Sequence, residues 1–257
     1  MKRLIALLAI TSLLVGSGVG LAAEKLRIAN EGAYHPFNYI DPSGELKGFD
    51  VDIAKAICEV MGVEPEFIVQ DWDGMIPGLL AKKYETIISS MSITEERKKA
   101  VNFTDPYYQV PARFVAPEGS GLVISKEGLR GKKIGVQRAT TYANYLEAKF
   151  GDTVEIVYYD TMDNHNLDLK TGRIDAVLSQ AYFMGEWLKK PDGQGFEFVG
   201  EPVTDVEYIG YGAGIAVRKE DTELLQRLND ALDKIIADGT HKSISRKYFS
   251  FDIYPYE

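Results

Sequence analysis

Lys133-Ile134-Gly135-Val136, Val154-Glu155-Ile156-Val157 and Ile174-Asp175-Ala176-Val177-Leu178 are three short β-rich runs, separated by helical patterns over residues 140–150 and 164–172. Such alternation marks βαβ units, because a parallel strand pair needs a crossover long enough to return the chain along the sheet. The stretch decides the fold because the chain has already run this pattern once. Upstream, Leu26-Arg27-Ile28-Ala29, Glu66-Phe67-Ile68-Val69 and Thr86-Ile87-Ile88-Ser89 read as strands around helices at 48–61 and 73–82. The first of these helices places Ile53, Ile57, Val60 and Met61 on one face. Downstream, residues 181–189 read as a helix that Pro191 stops, and 222–238 and 241–249 as two further helices. The repeat is one of architecture, with little likeness residue for residue.

Two α/β units of mostly parallel sheet flanked by helices are therefore expected, the first interrupted by the second: residues 24–108 with 211–257, and 109–210. Two segments can carry the chain between them. Asp105-Pro106-Tyr107-Tyr108-Gln109 and residues 208–214, with glycines at 210, 212 and 214, both read as β-type crossings, and two crossings make two hinges. Ser92 and Glu95 stand in capping-box spacing and predict a helix start there.

The composition of the 257-residue chain, 45% hydrophobic and 26% charged, excludes disorder and collagen-like repeats. Its net charge of −9 argues against a binder of nucleic-acid backbones, which needs clustered positive charge. Residues 1–23 read as a cleaved signal peptide. Met1-Lys2-Arg3 is a basic start, residues 4–15 are an apolar run, and Ala22-Ala23 precede the charged Glu24-Lys25. Removing them takes the net charge to −11 and predicts an exported, periplasmic protein. Cys58 is the single cysteine, so neither an intrachain disulfide nor a cysteine-based metal site is available.

The familiar signatures of hydrolases, zinc proteases and nucleotide enzymes are missing. His35, His165 and His241 lie far apart and read as surface or loop residues, so no metal or other cofactor is expected. Gly210-Tyr211-Gly212-Ala213-Gly214 looks like a phosphate loop but runs into the β-like Ile215-Ala216-Val217 where a helix would be required.

Five motifs occur in order at suitable spacings: Tyr34-His35-Pro36-Phe37, Gly48-Phe49-Asp50-Val51-Asp52, Asp73-Gly74-Met75-Ile76-Pro77-Gly78-Leu79, the run from Ser89-Ser90-Met91-Ser92 to Arg97, and Gly172-Arg173-Ile174-Asp175-Ala176. Together they resemble the family 3 extracellular solute-binding proteins, periplasmic receptors of polar amino-acid ABC importers, across residues 24–257. The resemblance implies a type II two-lobed fold with the ligand in the cleft, a small-molecule amino acid or derivative as ligand, and an inner-membrane ABC permease as partner. It places Arg97 against the ligand's carboxylate, where a planar fork serves two oxygens at once, with Ser89, Ser90, Ser92 and Thr141 as further contacts. Tyr34 and Trp72 match aromatics that sandwich a cationic side chain, Glu31 matches the acid that faces its distal charge, and Gln137 joins the expected lining.

One position departs from the pattern. Gln180 stands where the family carries the aspartate that pairs with the α-ammonium. Either another acid such as Asp160 or Asp163 compensates, or the ligand's amine is substituted, as in an opine, or absent. The runner-up readings are an enzyme resembling cyclohexadienyl dehydratase, with Glu31 as its acid, and a sensory module for a chemoreceptor.

Overall fold

The computed structural model describes residues 24–109 and 111–254. The expected signal peptide lies outside the described residues. In the first unit, β1 (Lys25–Asn30) passes through a small antiparallel sheet of β2 (Ala33–Tyr34), β3 (Asn38–Ile40) and β4 (Leu46–Lys47) into helix α1 (Phe49–Met61). Then come β5 (Glu64–Val69), α2 (Met75–Leu80), β6 (Thr86–Ile87), α3 (Glu95–Lys98) and β7 (Val101–Phe103). The second unit holds β8 (Ala112–Pro117), β9 (Lys133–Gln137), α4 (Thr141–Phe150), β10 (Glu155–Tyr159), α5 (Met162–Lys170), β11 (Ala176–Gln180), α6 (Ala181–Leu188) and β12 (Phe196–Val203). The short α7 (Val206–Ile209) leads back to β13 (Ala216–Arg218), α8 (Thr222–Ala237) and α9 (Thr240–Tyr248).

Each unit is built on a five-stranded sheet, ordered β5-β1-β6-β13-β7 in the first and β10-β9-β11-β8-β12 in the second. In both, the βαβ strands pair in parallel while the strand beside a crossing pairs antiparallel: β13 with β6 and β7, β8 with β11 and β12. β13 follows the whole second unit in sequence yet lies inside the first sheet, so the fold is two-lobed with the second lobe inserted into the first.

Local chemistry sets the helix ends. Gly48 precedes α1 at φ 128°, and a Cβ there would come within 2.2 Å of the Phe37 carbonyl oxygen, so only glycine lets the chain enter the helix at this point. Ile53, Ile57 and Cys58 turn the buried face of α1 toward the core, and burial pushes the Cys58 thiol up to about 11. α5 begins at Met162, two residues before the sequence pattern suggests, because Thr161 accepts the Asn164 N–H as its cap. The expected capping box at Ser92 is displaced. Thr94, not Ser92, caps α3 through the Arg97 N–H at 3.2 Å, and the helix is one turn long.

The crossings run side by side. Tyr107 N–H donates to the Ala213 carbonyl and Ala213 N–H to that of Tyr108, both at 2.9 Å. Residues 208 and 209 belong to α7, so the second crossing is extended only beyond them. The C-terminal tail lies against this pair. Gln109 N–H donates to the Ile253 carbonyl at 3.0 Å, and Phe251 stacks on Tyr182 of α6 with ring centroids 4.4 Å apart.

Two of the three histidines depart from the sequence expectation. His165 on α5 and His241 on α9 are fully buried, and desolvation lowers both to pKa values of about 3 and 4. His241 Nε2 lies 2.7 Å from the Tyr107 carbonyl oxygen, and His165 packs behind β9. They are neutral core residues.

Candidate ligand cleft between the lobes

β1 ends at Asn30, whose side-chain amide donates to the Ile88 carbonyl and ties the strand end to the loop after β6. The next residue, Glu31, donates its N–H to Ser89 Oγ at 3.0 Å. The loop then turns through Ser90, at φ 55°, which makes two contacts. Its N–H donates to the Tyr107 hydroxyl at 2.9 Å and its hydroxyl to Asp50 Oδ2 at 2.8 Å, while Tyr107 donates to Asp50 Oδ1 at 2.7 Å. Asn38 adds a further donor to Asp50 at 2.7 Å. Burial raises this carboxyl to about 6, and the three donors hold it down from a larger rise.

Nine of the ten sequence-derived positions line one narrow cavity of about 20 Å³: Glu31, Tyr34, Trp72, Ser89, Ser90, Ser92, Arg97, Gln137 and Thr141. Thr140, Tyr142 and Met162 complete the lining. The first lobe provides the residues up to Arg97, and the second provides the rest from the C-terminal end of β9 and the starts of α4 and α5. A cleft at the carboxyl ends of parallel strands is where open α/β sheets present their loops.

The lobes touch across this cavity. Gln137 Nε2 donates to Glu31 Oε1 at 2.5 Å and to the Asp160 carbonyl at 2.9 Å. Trp72 Nε1 donates to the Ala139 carbonyl at 3.1 Å, and Arg97 Nη2 donates to the same oxygen at 3.4 Å. Tyr34 stacks on Phe37 of its own lobe at 5.0 Å and on Phe183 of the other at 5.2 Å. Trp72 carries the Arg97 guanidinium 5.3 Å from its ring centroid, so one face of this expected clamp already holds a cation of the protein itself.

The two charged groups are poorly compensated. Arg97 donates to two carbonyls, Ser92 at 2.9 Å being the nearer, and has no carboxylate partner among the described residues. Desolvation lowers it to about 10, still charged at neutral pH. Glu31 has no cationic partner among the described residues, and its carboxyl is pushed up to about 7, burial outweighing the Gln137 hydrogen bond.

Thr141 is the first residue of α4, and the cap belongs to its neighbour. Thr140 Oγ1 donates to the Gln137 carbonyl at 2.7 Å and accepts the Ala143 N–H at 3.2 Å, so Thr141 is not needed as the helix cap. Gln180, at the end of β11, is absent from this cavity and lines an adjoining one of about 420 Å³ together with Ser90 and Ser92. Neither proposed substitute for the missing aspartate lines either cavity: Asp160 pairs with Arg138 at 2.7 Å, and burial raises Asp163 beside His35 and Lys190. Sequence reasoning missed Tyr142 and Asp50. Tyr142 is one aromatic on an amphipathic helix, and Asp50 acts through Ser90, a contact that no spacing rule reveals. Among the described residues no group of metal ligands assembles.

Residues 26–251 match the bacterial extracellular solute-binding proteins, family 3. An L-arginine-binding protein of Pseudomonas aeruginosa is 47% identical over 257 residues, covering 99% of each chain. The ABC transporter arginine-binding protein 1 of Escherichia coli is 40% identical, covering 97% of this chain and 99% of the other. A Salmonella typhimurium periplasmic binding protein, solved to explain its high arginine specificity, superposes with a TM-score of 0.82 at 35% identity, covering 89% of this chain and all of that one.

Proposed function

The chain belongs to family 3 of the bacterial extracellular solute-binding proteins, and on that premise we propose that it captures a cationic amino acid of the arginine type in the periplasm and delivers it to an ABC permease. It is a receptor and not an enzyme, as are the binding proteins it matches. The observation that carries the reading is the pair of uncompensated charges on one cavity, a desolvated guanidinium at Arg97 and a carboxyl at Glu31. A ligand with a carboxylate for Arg97 and a cationic tail for Glu31 satisfies both, and each gains from the exclusion of water. The carboxylate also meets the start of α4, where Thr141 adds its hydroxyl and the helix terminus adds its dipole.

In this reading residues 24–108 and 211–257 form one lobe and 109–210 the other, and they swing about the paired crossings. Contacts from both lobes exist only in the closed form, so the ligand shifts the population toward closure and the permease reads the closed shape. Residues 1–23 serve as the export signal.

Isothermal titration with arginine, lysine, ornithine and histidine tests the proposal. At least one should bind, and Arg97→Ala should weaken it by about 100-fold or more, as the loss of a desolvated charge partner implies. Absence of binding by all four, or an Arg97→Ala protein with unchanged affinity, overturns it.

A further inference from the structure

The cavity of about 420 Å³ that Gln180 lines shares Ser90, Ser92 and Tyr142 with the ligand cavity and so continues from it. Gln180 is 4% exposed, and its Oε1 has no hydrogen-bond partner. Its Nε2 donates to the Tyr108 hydroxyl at 3.0 Å. The acceptor-only oxygen of Gln180 is the end that remains.

A neutral acceptor is a poor partner for a primary ammonium, which carries a full charge and three donors, but it matches a single uncharged N–H. The described lining of the second cavity contains no lysine, arginine or histidine, and its one carboxylate is Asp252, which pairs with Lys242 at 3.8 Å. That lining suits a neutral group, or a cation that competes with Lys242 for Asp252, and disfavours a second carboxylate.

We propose that this cavity is an acyl subsite: Gln180 Oε1 accepts the N–H of an Nα-acylated basic amino acid, and the acyl or aminoacyl group extends past Tyr108 toward Thr204, Gly212 and Asp252. A dipeptide ending in arginine is the fullest occupant, with its amide N–H at Gln180 and its terminal ammonium toward Asp252. The proposal rests on the cleft holding a basic amino acid.

The test is titration of the protein, purified after export, with L-arginine, Nα-acetyl-L-arginine, glycyl-L-arginine and octopine, whose amine carries a carboxylate-bearing group. The acylated ligands should bind within about tenfold of L-arginine, and octopine more weakly than Nα-acetyl-L-arginine. Gln180→Asp, checked for folding by its thermal transition, should strengthen L-arginine about 100-fold and weaken Nα-acetyl-L-arginine about tenfold. The acyl subsite is overturned if L-arginine binds while both acylated ligands are weaker by about 1000-fold or more, or if octopine binds best. An unchanged ratio of L-arginine to Nα-acetyl-L-arginine in a folded Gln180→Asp protein also overturns it. If none of the four ligands binds, the reading of the cleft falls and takes the subsite with it.

Discussion

Glu31 is held by burial at a pKa of about 7, and this has a direct consequence for binding. A cationic ligand pairs with the carboxylate form, so binding must expel the proton that Glu31 carries on the acid side of its pKa. Affinity for arginine should therefore be flat above about pH 8 and fall toward about tenfold per pH unit below 7, with proton release on binding. Titration in buffers of different ionisation enthalpy measures that release, and Glu31→Gln should abolish the pH slope along with most of the affinity. At this scale the sequence was informative about side chains that line one cavity, because such residues come in ordered motifs. It was silent on Asp50, whose part is played behind Ser90, and it could not show that Gln180 opens on a different cavity from Arg97.

The elements that aim the site are short, and their ends matter more than their middles. α4 points its N-terminus into the cleft because Thr140 caps it and also ties back to the Gln137 carbonyl. Thr140→Ala should cost about 1 kcal/mol of stability, the usual worth of a side-chain cap, read as a shift in the urea midpoint at constant slope. The long periodic helices and the parallel strands were legible from sequence to within a few residues, since each has enough turns or alternations to reveal its period. β2, β3, β4 and β7 were not, because two or three residues carry no period, and nor were the antiparallel β8 and β12. The cap of α3 was misplaced for a related reason: Ser92 and Thr94 are both good caps, and the spacing of Ser92 to Glu95 favoured the wrong one.

For the whole molecule, the proposed function turns on a balance between open and closed lobes. The insertion of one lobe into the other was visible as a pattern that restarts, but the pairing of the crossings was not, since β13 finds its neighbours more than 100 residues away in sequence. Few direct bonds cross the cavity, chief among them Gln137 to Glu31 and Trp72 to the Ala139 carbonyl. Removing one should favour the open form. Gln137→Ala is expected to increase the radius of gyration of the ligand-free protein in X-ray scattering and to weaken arginine several-fold, while saturating ligand restores the compact form.

The tail offers a view of the same motion from outside. Phe251 is about half exposed and stacks on Tyr182 of the second lobe, while α8 and α9, which lead to it, pack on α1 of the first. The described tail thus spans the boundary between the two lobes, with Asp252, Ile253 and Tyr254 on the second cavity and none of its residues on the first. A fluorophore attached at position 251 becomes an optical gauge of closure, its brightness following the hinge while the ligand cavity keeps its native chemistry.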